Sequence, residues 1–141
     1  MSKETKTIKQ TELIPASHVD VYEALMDAKR YSEFTGSKAT SDPRVGGEFT
    51  AGDGYIFGKN LKLENGKRIV QEWRTTEWPA DYPPSIVEFT FRKIKNDTEL
   101  TMVHQNVPAE QASSYRKGWI DFYWRPMKKY FKEKRARRES T

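Results

Sequence analysis

Among side chains that handle protons or metals near neutral pH, this chain of 141 residues has two histidines and no cysteine. His104 lies in a run, Thr98 to Asn106, in which Leu100, Met102 and His104 alternate on one face, so its imidazole is expected inside. An inward histidine is either a general base or ligand partner in a cavity, or a core residue bonded to backbone or water. No second acid, base or nucleophile converges on it in the sequence, so the core role is the simpler reading. His18 stands at a helix start and is expected exposed. Two histidines at this separation form no metal motif, and the lack of cysteine removes disulfides and thiolate sites. No serine sits in a nucleophile-elbow pattern. Gly46-Gly47 and Gly52-Asp53-Gly54 have neither the spacing of a phosphate loop nor a helix after them, and turns or bulges account for them. No catalytic residue, metal ligand or cofactor is therefore assigned.

Binding has more candidates. Phe49, Tyr55, Phe57, Trp73, Phe89, Phe91, Trp119 and Tyr123, with Met102 and His104, either line a cavity for a small, largely apolar ligand or fill that space completely. Lys59, Asn60, Lys67, Arg68 and Arg74 fall on neighbouring strands and form either a contact surface for an acidic partner or a solvated outer sheet face. From Lys128 to Glu139 there are seven basic residues against two acidic, while the remainder has eighteen of each. The pI of about 9.3 thus describes a tail, and no nucleic-acid partner is expected. That tail suits a solubilising helix end, where cations favour the helix dipole, at least as well as an acidic ligand.

The elements that position these groups can be read in turn. A length of 141 residues gives room for one domain. Apolar residues are 35% and aromatics 13%, so the core is built from few, large rings. No apolar run reaches a membrane span, and the N-terminus shows no secretory signal; a cytoplasmic location and a monomer are expected. A strand is expected over 5–14, stopped by Pro15. Ser17 caps a helix carrying Val21, Tyr22, Leu25 and Met26, and a second short helix runs from Lys29 to Phe34 and ends near Gly36. Strands follow: one around Gly46–Thr50, one from Tyr55 to Leu63 with Tyr55, Phe57, Leu61 and Leu63 on one face, and one from Lys67 to Arg74. Asn65-Gly66 between the last two suggests a type I′ hairpin. A proline-rich loop leads to strands at Ile86–Lys95 and Thr98–Asn106, turning at Asn96-Asp97. After Pro108 comes a long helix with Tyr115, Trp119, Phe122, Tyr123, Pro126 and Tyr130 on one stripe, Met127 near its edge and a disturbance at Pro126. The fold class is α+β: a curved antiparallel sheet of about six to seven strands gripping that helix, in one domain over 5–135. Residues 136–141 form a frayed basic tail, and deletion after Phe131 is expected to leave stability nearly unchanged. Trp119 and Phe89 should face each other, buried, between sheet and helix.

Ile14-Pro15-Ala16-Ser17 with Val21-Tyr22-Glu23-Ala24-Leu25 resembles the opening of the helix-grip superfamily (SRPBCC) that includes START domains and the birch pollen allergen. Glu33-Phe34-Thr35-Gly36-Ser37, Val45-Gly46-Gly47-Glu48-Phe49, Gly54 to Asn60, Lys67 to Arg74, Gly118-Trp119 and Tyr123-Trp124-Arg125-Pro126 are similar to the C-terminal domain of the activator of the heat-shock protein 90 ATPase. The likeness spans about residues 8–131. It implies a non-enzymatic binding protein with an ATP-dependent chaperone as partner, acting as a co-chaperone or stress-response modulator. The superfamily implies an alternative, a carrier or sensor of a small hydrophobic ligand in the sheet–helix cavity, with His104 or Tyr123 as its polar contact. An enzyme of cyclase or hydrolase type is a third class and lacks a catalytic set. The eukaryotic activator has two domains, so this chain alone is expected to stimulate an ATPase weakly.

Overall fold

The structure, a computed structural model, describes residues 4–139. Strand β1 (Thr5–Ile14) runs into Pro15, and α1 (His18–Met26) and α2 (Ala28–Thr35) follow. The Ser17 hydroxyl accepts the Asp20 amide at 3.2 Å and the Asp27 carboxylate accepts the Arg30 amide at 3.0 Å, so each helix begins at a side-chain cap. Gly36 ends α2 with φ of 77°, a left-handed conformation that favours glycine. Then come β2 (Thr40–Ser41), β3 (Glu48–Ala51), β4 (Ile56–Glu64), β5 (Arg68–Thr75), β6 (Ser85–Ile94) and β7 (Asp97–Pro108). They form one seven-stranded antiparallel sheet in the order β1-β7-β6-β5-β4-β3-β2, a meander onto whose last strand β1 closes.

The inner face is apolar. Ile8, Ile69, Val87, Phe89, Leu100 and Met102 are buried, and the helices cover them. After a short 3₁₀ turn, α3 (Ala112–Trp119), a π turn (Ile120–Trp124) and α4 (Arg125–Glu139) run as one helical stretch. The π turn ends two residues before Pro126, and the Arg125 amide donates to the Ile120 carbonyl five residues back. A proline ring crowds the carbonyl four residues earlier and has no amide to give, and the wider turn accommodates both defects.

Two expected patterns are corrected here. The π turn contains one residue more than an α turn, so it rotates everything after it. Tyr115, Trp119 and Tyr123 are inward as expected, but Trp124, Met127 and Phe131 continue the buried stripe, and Phe122 is 66% exposed. On β4 the register shifts between Asn60 and Lys62. This bulge exchanges the faces: Ile56, Gly58 and Asn60 are inward in place of Phe57 and Leu61, while Leu63 keeps the inward place expected of it and Tyr55 lies in the turn before the strand. Phe49 lies over Gly58, where an added Cβ would stand 1.9 Å from the Glu72 carbonyl oxygen.

The turns also differ in detail. Gly66 alone in the β4–β5 loop has positive φ, 74°, and Lys67 N–H closes the loop on Glu64 O at 2.9 Å, so it is not type I′. The β6–β7 turn is Lys95-Asn96, with Lys95 at φ of 56°. Where a frayed tail was expected from 136, α4 continues to Glu139, and residues 140–141 lie outside the described residues. Among the described residues, no helix is long and apolar enough to cross a membrane.

Candidate functional site

His104, from β7, is fully buried, and its surroundings fix its proton. The Trp119 indole N–H donates to Nδ1 at 3.1 Å, so Nδ1 is the acceptor nitrogen. Nε2 therefore carries the hydrogen and donates to Ser85 Oγ at 2.7 Å, and that hydroxyl donates to the Trp73 carbonyl at 2.6 Å. Burial lowers the imidazole pKa from 6.5 to about 3. The ring is neutral, saturated with partners and walled off by Trp73 at 4.6 Å. It ties β7, β6 and α3 together and contacts no open space. The core reading of His104 holds and its alternative as a ligand contact does not, since it lies outside the pocket lining; the exposed placement of His18 is corrected, because it is half-buried with Nδ1 3.0 Å from Gly66 O.

Between sheet and helix the aromatic rings partly fill and partly line. Phe89 meets Trp119 edge-on at 5.8 Å, as the sequence predicts, and Trp119 stacks on Trp124 at 5.6 Å. Phe49, Phe91 and Met102 are likewise packed in the core. At one end a pocket of about 390 Å³ stays open between the end of α2, the β3–β4 turn and α3. Tyr55, Trp73, Trp119 and Tyr123 line it; Phe49, Phe57, Phe89, Phe91, Met102 and His104 do not. Tyr31, Ile56 and Tyr115 join the lining, and of these only Tyr115 had a sequence signal, its place on the helical stripe. Tyr31 comes from α2, and no local pattern links that helix to α3.

The pocket is apolar with a hydroxyl edge. The phenol oxygens of Tyr31 and Tyr123 hydrogen-bond to each other, and burial raises both phenols far above their usual range. Tyr115 shares a hydrogen bond with Thr75 at 2.8 Å and donates to Gln111 Oε1 at 2.8 Å. These groups stay protonated at neutral pH and offer hydroxyls but no charge.

The charged candidates lie on the other sheet face. Phe57 pairs with Arg74 across β4 and β5, and the guanidinium stands 5.0 Å over its ring. Phe57 is thus an outer-face residue, and its cavity assignment is corrected. Lys59 and Arg74 are exposed on that face and Lys67 is exposed in the β4–β5 loop. Arg68 pairs with Glu88 and, at 3.9 Å, with Glu64. Asn60 leaves the set, because it is 1% exposed. Its Nδ2 donates to the Asp42 and Arg44 carbonyls at 3.0 and 3.1 Å, and its Oδ1 accepts from Gln71 at 3.0 Å. It anchors the 42–47 loop from inside.

Comparison with known proteins agrees with this geometry. Residues 15–132 match the family model described as Activator of Hsp90 ATPase homolog 1-like protein. The chain is 31% identical over 125 residues to the human Activator of 90 kDa heat shock protein ATPase homolog 1, covering 89% of this chain and 36% of that protein. It is 32% identical over 116 residues to the Dictyostelium discoideum Activator of 90 kDa heat shock protein ATPase homolog, covering 82% of this chain and 30% of the relative. The crystal structure of an HSP90 activator from Plasmodium falciparum superposes with a TM-score of 0.78 at 26% identity, covering 83% of this chain and 89% of that one. The chain therefore spans about a third of the length of the curated relatives it matches.

Proposed function

This chain belongs to the Activator of Hsp90 ATPase homolog 1-like family, and from that membership we propose that it is a binding protein that acts on an Hsp90-type chaperone as a co-chaperone, with no chemistry of its own. The observation that carries the reading is the family match over residues 15–132, the span of the helix-grip fold from the start of α1 to α4. A partner of this kind works by favouring one conformation of the chaperone through differential contacts, which is a shift of population. The contact surface is the outer sheet face and its loop, with Lys59, Lys67 and Arg74 displayed and Arg68 held in place by Glu88. The protein acts in the cytoplasm, as a monomer.

Titration calorimetry with a purified Hsp90-type chaperone tests this. Saturable association, weakened by Lys59→Glu with Arg74→Glu at unchanged melting temperature, is expected. Absence of association at any salt concentration would overturn it.

One feature favours a second reading, a carrier or sensor of a small ligand. The pocket of about 390 Å³ is the size of a small-molecule site, and its apolar walls and few hydroxyls are those of such sites. Tyr123 and Tyr31 supply the polar contact. Because Trp73 and Trp119 line it, a ligand would report itself in tryptophan fluorescence. Saturable fatty-acid binding at submicromolar concentration that leaves chaperone association untouched would move the assignment to carrier.

A further inference from the structure

A second cleft, of about 420 Å³, lies at the opposite end of the long helix from the aromatic pocket. Its walls are the start of α1, the β6–β7 turn and the last turns of α4. Pro15, Ala16 and the ring of Phe131 form an apolar floor, and five cations reach it, Lys93, Lys95, Lys134, Arg135 and Arg138, against two carboxylates. Both carboxylates have cationic partners. Arg135 donates to Asp97 at 2.8 Å and to the Asn96 carbonyl at 2.9 Å, which ties α4 to the turn, and Asp20 faces Arg30 at 3.7 Å. Among the described residues no ion pair engages Lys93, Lys95 or Lys134; the Lys134 ammonium rests 4.9 Å over the Tyr130 ring. The positive end of the α1 dipole adds to the same potential. Lys95 holds φ of 56°, a conformation easier for glycine, with its charge at the rim.

We propose that this cleft is a docking site for an extended acidic segment of a protein partner, its carboxylates meeting Lys93, Lys95 and Lys134 and an apolar side chain resting on the floor. A small anion would use one end of such a space and none of its floor. A single-stranded nucleic acid would need exposed rings for stacking, and the ring lining the cleft, Phe131, is 5% exposed. The surface is separate from the sheet face and does not depend on it.

The probe is a short fluorescent peptide of alternating glutamate and leucine, read by polarisation, with backbone amide shifts mapped by NMR. Saturable binding with shifts at Ser17, Asn96 and Phe131 is expected. Lys95→Gly removes a charge while relieving the backbone, so the fold is retained, and binding should weaken several-fold; Lys93→Glu with Lys134→Glu should weaken it by about tenfold or more. Arg74→Glu on the sheet should leave it unchanged. Replacing leucine with alanine in the peptide should also weaken binding. Unchanged binding by both cleft variants, shifts mapping elsewhere, no saturable binding, or pyrophosphate or an oligonucleotide binding there more tightly than the peptide would each overturn the proposal. Loss of chaperone association alone would overturn the family-based reading and leave this one standing.

Discussion

Burial keeps the His104 imidazole neutral, with its pKa lowered to about 3. An exposed histidine in the unfolded chain titrates near 6.5. The native state therefore binds fewer protons than the unfolded state between these values, and its stability is complete above the unfolded pKa and falls as pH drops below it. At about pH 5 the loss from this one residue should be about 2 kcal/mol. Urea melts at neutral pH and near pH 5, with His104→Gln as reference, check this; a His104 imidazole NMR signal, assigned by its loss in that variant, that titrates near 6.5 in the folded protein would contradict it. Trp119 is the residue on which most rings converge, and Trp119→Ala should destabilise by about 3–5 kcal/mol in the same melts, through a large cavity and an unpaired His104 Nδ1. That His104 points inward was legible from Leu100 and Met102 beside it. Its partners were not, because Ser85 and Trp119 arrive from other elements and no spacing within one strand announces them.

Element boundaries were well marked where a cap or turn residue marks them: Ser17, Gly36 and Pro15 fall where β1, α1 and α2 begin or end. Inner and outer faces failed where an element carries one extra residue. The bulge near Asn60 and the π turn at 120–124 both change phase without changing composition, and so Phe57 and Phe122, apolar and well spaced, point outward. In the sequence Asn60 is one polar residue among cations and looks like surface. In the fold it satisfies two loop carbonyls and Gln71, and Asn60→Ala should lower stability by about 2–3 kcal/mol in chemical denaturation. The basic end of α4 is likewise more than a solvated tail, since Arg135 grips the β6–β7 turn. Deletion after Phe131 should destabilise by about 1 kcal/mol, the scale of a partly exposed ion pair with its hydrogen bonds. A calorimetric melting temperature lower by a few degrees is the expected reading, and no change at all would mean that this contact contributes nothing.

At the scale of the molecule, helix-grip architecture followed from the order of elements and from one long amphipathic helix, whereas the open end of the interior depended on how α2 meets α3 and could not be read along the chain. The functional prediction belongs at this scale as well. Binding needs one complementary patch, but stimulation needs contacts that differ between two chaperone conformations, and this chain spans 36% of its human relative. We expect the 141-residue chain to associate with an Hsp90-type chaperone and to raise its ATPase rate weakly; robust stimulation in a coupled ATPase assay would refute this. β1 hydrogen-bonds to β7 and to no other strand, and Thr11 meets Thr101 ninety positions later. The helix that covers the sheet comes after β7. On the ribosome, β1 must therefore wait with an unpaired edge while the other six strands emerge, and the apolar face stays wet until the final helix is released. Such long-range closure is slow, so folding should complete only after α4 has left the ribosome, and the nascent chain before that point is the form most exposed to aggregation.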